Sequence, residues 1–143
     1  MSITAANAVV MLGVAGVFPI PQQLQGFAAD DIFATETNEP VEILMGIDGI
    51  MSYGFVNVPV KWSISLQSDS PSNDVFDNWI AAQKTNQDAY PANATITLPS
   101  LGLKWVMTKG VITTYPPIPD AKKVLQPRKF TLTFESVDPA PYL

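Results

Sequence analysis

The chain has 143 residues, of which 47% are apolar and only 15% charged, and it carries a net charge of −5. That length builds one core rather than two, and the acidic balance argues against gripping a nucleic-acid backbone through a basic patch. Cysteine and histidine are both absent, which removes disulfides, thiolate nucleophiles, zinc–cysteine sites and the commonest general base, so the usual catalytic constellations are excluded.

Ala8 to Phe18 is an apolar run with no Lys or Arg before it. It lacks the basic flank of a signal peptide and the length of a membrane-spanning helix. It therefore reads as the first buried strand of a protein kept in the cytoplasm until it assembles. Val9 to Leu12 is strand, and Gly13 and Gly16 sit where it must turn. Leu24 to Phe27 then leads into Asp30 and Asp31, and Ile32 to Thr37 resumes the strand pattern until Pro40 breaks it. Val41 to Met45 and Val56 to Leu66 read as the two arms of a long hairpin, with Gly46-Ile47-Asp48-Gly49 and Gly54 in the loop between them. In the second arm Val56, Val58, Val60, Trp62, Ile64 and Leu66 alternate with Asn57, Pro59, Lys61, Ser63, Ser65 and Gln67. Period two marks a half-buried strand with its apolar face on the core.

A helix is expected over 71–85. Ser70-Pro71-Ser72-Asn73-Asp74 offers an N-cap serine, a proline at the first helical position and an acid in the first turn. Val75, Phe76, Trp79 and Ile80 share one stripe, and Lys84 suits the negative C-terminal end. Ala94 to Leu98 and Leu103 to Tyr115 follow as strands, with Gly110 marking a bulge or bend in the second. Arg128 to Val137 is the last strand, with Phe130, Leu132 and Phe134 inward and Lys129, Thr131, Thr133 and Glu135 outward. The whole reads as a mainly β protein, a β-sandwich or partly closed barrel of about six to eight antiparallel strands with one flanking helix. A single domain is expected over 1–143, with extended arms at 1–7 and 138–143. So few charges suggest that partners cover part of its surface.

Three segments carry a resemblance. They are GFAADDIFATETNEP from Gly26 to Pro40, MGIDGIMSYGFVNVPVKWSISLQ from Met45 to Gln67, and SPSNDVFDNWI from Ser70 to Ile80. In wording, order and spacing they resemble the tail-tube proteins of contractile-tailed bacteriophages, which share their fold with the type VI secretion tube protein. The Ser-Pro-Ser-Asn-Asp helix start is the most specific of the three. Between Ile50 and Val56 the chain departs from the pattern: Ile50, Met51, Tyr53 and Phe55 stand where family members often carry charges.

The resemblance implies a structural virion protein, without cofactor or enzymatic activity, that forms hexameric rings. Such rings pair their inner strands into a continuous barrel and stack into a hollow tube through which the genome is ejected. It implies as partners other copies of the chain, a surrounding tail sheath, baseplate or tail-tip and tail-terminator proteins at the ends, and tape-measure protein and DNA in the lumen without specific binding. No membrane anchoring is implied, and assembly belongs in the host bacterial cytoplasm. Lumen candidates are the polar-face residues Asn57, Lys61, Ser63, Ser65, Gln67, Thr131, Thr133 and Glu135, with Lys61 expected to pair with Glu135 or Glu36. Ring-stacking candidates are Gly46, Ile47, Asp48, Gly49, Ile50, Met51, Tyr53 and Phe55, together with the N-terminal residues 1–7.

Blander readings stand beside these. The polar face is also what an ordinary solvated sheet presents, and the loop is also what a flap folded over the subunit's own core would look like. Asp30 with Asp31, and Asp74 with Asp77, are the only acidic pairs that offer acid–base or cation chemistry, and turn capping and the helix dipole explain them without it. A carbohydrate- or protein-binding sandwich would need an aromatic platform from Trp62, Trp79, Trp105, Tyr53, Tyr90 and Tyr115, of which Trp62 and Trp79 fall on core faces. A secretion tube, a tail terminator and a baseplate hub share the expected fold.

Overall fold

In the computed structural model, residues 8–28 and 32–141 are described. The chain runs β1 (Val9–Val14), β2 (Phe18–Gln23), β3 (Phe33–Thr35), β4 (Val41–Met45), β5 (Met51–Phe55), β6 (Val60–Leu66), α1 (Asn73–Asn86), β7 (Ala92–Leu98), β8 (Leu103–Thr114) and β9 (Arg128–Ala140). Seven strands make one antiparallel sheet in the order β2-β1-β7-β8-β9-β6-β3, and β4 with β5 forms a separate hairpin. The fold is mainly β, as expected. Among the described residues it has nine strands rather than six to eight, because Phe18–Gln23 and the stretch after Gly49, Met51–Phe55, are strands as well.

The sheet curls about one core without closing, leaving β2 and β3 as its edges. Val10 and Leu12 of β1, Trp62, Ile64 and Leu66 of β6, Met107 of β8 and Phe130, Leu132 and Phe134 of β9 all join that core. In β6 and β9 the alternation read from sequence holds: inward residues are buried and the residues between them face outward. It fails at Val56 and Val58, which lie before β6 and are exposed. Pro59 cannot donate to a ladder, so pairing begins at Val60. β6 consequently pairs with β9 and β3, and β4 takes its partner from β5, the nearest strand in sequence.

Gly110 explains the bend in β8. Lys109 adopts a positive φ of 53°, and the change in alternation there turns both Met107 and Gly110 inward. A Cβ at Gly110 would lie 2.3 Å from the ring of Phe134. Glycine is required for that close approach.

α1 begins two residues later than expected, and Ser72 rather than Ser70 occupies its N-cap position without making a side-chain cap. The serines act elsewhere. Ser72 Oγ accepts the Gln25 backbone N–H at 2.6 Å, and Ser70 Oγ donates to the Gln25 carbonyl. Asn73 Nδ2 donates to the Gln67 carbonyl at 2.9 Å. Gly26, with φ of 71°, lies so close that a Cβ there would reach within 2.5 Å of Ser70 Oγ. Two of the segments singled out in the sequence thus form one hydrogen-bonded unit that fixes the helix entry against the β2–β3 connection.

The antiparallel order puts the ends of β3, β7 and β9 and the starts of β6 and β8 at one pole of the sheet. The helix covers the other pole. Phe76 stacks on Phe130 with ring centroids 4.3 Å apart, and Trp79 Nε1 donates to the Tyr90 carbonyl at 3.0 Å. Arg128, almost wholly buried, donates to both carboxylate oxygens of Asp77, at 2.9 and 3.2 Å, and to the Pro116 carbonyl at 3.0 Å. This ties the helix to the start of β9 and to the loop before it. Asp77→Ala leaves the buried guanidinium with only a carbonyl, and is expected to cost about 2 kcal/mol in urea unfolding; an unchanged midpoint would show that the pair contributes nothing.

Of the arms expected at the ends, residues 1–7 lie outside the described residues. Asp138, Pro139 and Ala140 are the last residues of β9, paired with Val106, Trp105 and Lys104. The C-terminal strand is thus longer than the alternation suggested.

Candidate assembly surfaces

The outward face of β6 and β9 is built from hydroxyls and a few charges. Lys61 lies opposite Thr133, Ser63 opposite Thr131 and Ser65 opposite Lys129, while Ala34 of β3 flanks Ser63. Glu135 is exposed on the same strand. Asn57 precedes β6 and lines a surface hollow with Glu135, and Gln67 follows β6, its backbone N–H donating to the Gly26 carbonyl at 2.8 Å. Six of the eight candidates therefore share one sheet face, with Asn57 and Gln67 at its two ends. Lys61 makes no ion pair with Glu36 or Glu135; Arg128 with Asp77 is the only ion pair among the described residues. Glu36 meets Lys61 only through the backbone, N–H to carbonyl at 3.1 Å.

The polar face continues onto β8, which the sequence reading left out. Thr108 and Ser136 are joined through their hydroxyls at 2.6 Å, and Thr113 Oγ1 donates to the Thr131 carbonyl at 3.2 Å. The change of alternation at Lys109 hides the pattern of β8 in the sequence. The signal that remains is the number of threonines between Lys104 and Thr114.

The second surface is the β4–β5 hairpin. Its turn is tight: Gly46 N–H donates to the Ile50 carbonyl at 2.8 Å, and Asp48 Oδ1 accepts the Ile50 N–H at 3.1 Å. Every residue from 34 to 59 is exposed, and the apolar ones are among the most exposed in the chain: Leu44 at 70%, Ile47 at 110%, Tyr53 at 74% and Phe55 at 75%. The flap reading is therefore overturned, since the hairpin covers none of the core. The two-arm reading is overturned as well: Met51, Tyr53 and Phe55 are strand residues opposite Met45, Ile43 and Val41. An apolar hairpin bare on both faces marks an interaction surface.

Chemistry finds little foothold. Among the described residues no group of three Asp or Glu is placed to hold a metal ion, and no helix is long and apolar enough to cross a membrane. Asp77 is taken by Arg128, and Asp30 with Asp31 lies outside the described residues. Trp62 and Trp79 are fully buried, and Trp105 packs against the core, so these three form no exposed aromatic platform.

A family model described as "Tail fiber protein gp32" matches residues 1–138. No curated protein sequence matches the chain. Among solved structures, the sheath/tube terminator of the extracellular contractile injection system PVC, in its extended state, shares 14% identity over 98% of this chain and 97% of that one, with a TM-score of 0.63. The tube-terminating cap of the anti-feeding prophage shares 14% identity over 99% and 92%, with a TM-score of 0.59. A chain of the six-fold symmetrised anti-feeding prophage baseplate shares 13% over 99% of both chains, with a TM-score of 0.56. At these identities the likeness is one of fold.

Proposed function

The chain belongs to the family described as tail fiber protein gp32, and from that premise we propose that it is a non-catalytic virion subunit of a contractile tail, forming hexameric rings that stack into the inner tube. The observation that carries this reading is the bare apolar β4–β5 hairpin beside a hydroxyl-rich sheet face, on a fold also seen in contractile injection machines. The hairpin asks for a neighbouring subunit. The face, rich in Ser and Thr, suits the wall of a conduit because it hydrates well, with Lys61 and Lys129 the cations it offers to DNA. Unpaired edges at β2 and β3 are satisfied if neighbouring subunits in a ring continue the sheet. On this reading the sheath surrounds the tube, baseplate and terminator proteins close its ends, tape-measure protein and DNA pass through it, and assembly takes place in the host bacterial cytoplasm.

Electron microscopy of the concentrated protein tests the assembly: hollow tubes of uniform bore are expected. Single rings that never stack, even with tail-tip proteins supplied, would favour the second reading, a tail terminator, to which the folds of the two terminating proteins lend support. A monomer under all these conditions would return the chain to the binding-module class. The lumen assignment has its own test. In virions carrying Ser65→Arg, genome release in vitro is expected to slow, and more so at low salt than at high. Release at the wild-type rate would place this face outside the bore.

A further inference from the structure

The pole opposite the helix is open. A hollow of about 420 Å³ lies there between Phe33 and Thr35 of β3, Trp62 of β6, Ile96 and Leu98 of β7 and Trp105 of β8. Its lining is mostly apolar, with Thr35 among it, and Trp62, fully buried, has an indole Nε1 with no hydrogen-bond partner. A buried donor left unpaired is costly, and an apolar hollow with one placed polar group is the usual form of a binding site. What enters must bring apolar side chains.

The opposite pole presents such an element. The loop 115–127 joins β8 to β9 at the helix-covered end and exposes Ile118, Val124 and Leu125. It is held in shape by Arg128 on the Pro116 carbonyl and by the Gln126 N–H on the Asp120 carbonyl at 2.8 Å. Its prolines at 116, 117, 119 and 127 lack N–H groups, so the loop is richer in acceptors than in donors.

Charge separates the two poles in the same sense. Glu36, Glu39, Glu42 and Asp48 are exposed on the segment that leaves the rim of the hollow, and no Lys or Arg precedes Lys61 in the chain. Lys122 and Lys123 are exposed on the loop at the other end. Set against Lys61 and Lys104 at the starts of β6 and β8, and against Asp120 in the loop, the four acids at one pole and two lysines at the other still leave opposite net charges, complementary between copies arranged head to tail.

We propose that the open pole of one subunit seats the 115–127 loop of a second copy. Ile118 enters the hollow, and Lys122 and Lys123 face Glu36, Glu39 and Glu42. This deepens the tube reading and rests on it, by naming which elements meet between successive rings.

The cysteine-free chain allows a clean cross-linking test. A double variant, Thr35→Cys with Ile118→Cys, is expected to give a ladder of covalent multimers on mild oxidation. A mixture of the two single variants is expected to stop at a heterodimer that neither forms alone. Lys122→Glu with Lys123→Glu is expected to reduce the ladder about tenfold, and Glu36→Lys with Glu39→Lys to restore it. Stacked tubes that form while the Cys pair never links, or that link Ile47→Cys to Thr35→Cys instead, overturn this inference and leave the tube reading intact. A chain that never assembles overturns both.

Discussion

A variant carrying Leu44→Ser, Ile47→Ser and Ile50→Ser is expected to fold as the wild type does and to fail to polymerise. The three side chains are exposed at 70%, 110% and 66%, so the isolated subunit gains almost nothing from them. Changes at such positions usually move stability by less than about 0.5 kcal/mol, which in a domain of this size shifts the melting temperature by about 2 °C. In an assembly the same side chains are removed from water, each worth about 1.5–3 kcal/mol. Losing three together raises the concentration needed for assembly by a factor on the order of a thousand or more. Sedimentation and a thermal melt on one preparation give both numbers. Pelleting at the wild-type concentration would mean that the hairpin touches no neighbour. A large fall in melting temperature would mean that it supports its own core, against its exposure on both faces.

The second large effect runs the other way. Gly110→Ala is expected to destabilise the subunit by about 3 kcal/mol and to lower its melting temperature by about 10 °C. The added methyl would lie 2.3, 2.5 and 2.8 Å from three atoms of the Phe134 ring. That ring cannot retreat easily: Phe134 is fully buried and meets Trp62 edge to face with centroids 6.1 Å apart. Pairing Gly110→Ala with Phe134→Leu should return part of the loss, and the double-mutant cycle then measures the clash itself. Simple additivity would place the defect in the backbone of β8 instead.

Much of the fold was legible because local patterns agreed with the burial that won. The period-two runs from Val60 to Leu66 and from Arg128 to Phe134 form the two strands they predict, and Phe76 and Trp79 face the core as their helical spacing requires. Pairing partners were not legible, because alternation says which face is buried and nothing about which strand lies alongside. The hairpin shows the cost. A tight turn at 46–50 commits Val41–Met45 to the strand directly after it, yet Ser52 and Gly54 interrupt the apolar pattern there and make a strand look like a loop. The Ser-Pro-Ser-Asn segment marked a helix start correctly, but its side chains serve Gln25 and Gln67, a tertiary role that capping rules cannot foresee. On the candidate surface, the hydroxyls of β6 and β9 could be read off, whereas Thr108 and Thr113 were masked by the bend at Lys109. The open pole could not be anticipated, since it depends on Phe33, Trp62, Leu98 and Trp105 from four different strands.

The order of strands across the sheet also decides when the subunit can exist at all. β1 finds β7 only through pairs such as Val9 with Thr97, and β6 must wait for β9, whose first residue is Arg128. While the chain is being synthesised, the β1–β2, β4–β5, β3–β6, β7–β8 and β1–β7 pairs all have both partners before β9 appears. What waits for the end of the chain is β9 itself, which joins β6 to β8, and non-local pairing of this kind is slow to form. The core is therefore complete only once Phe130, Leu132 and Phe134 of the last strand are in place.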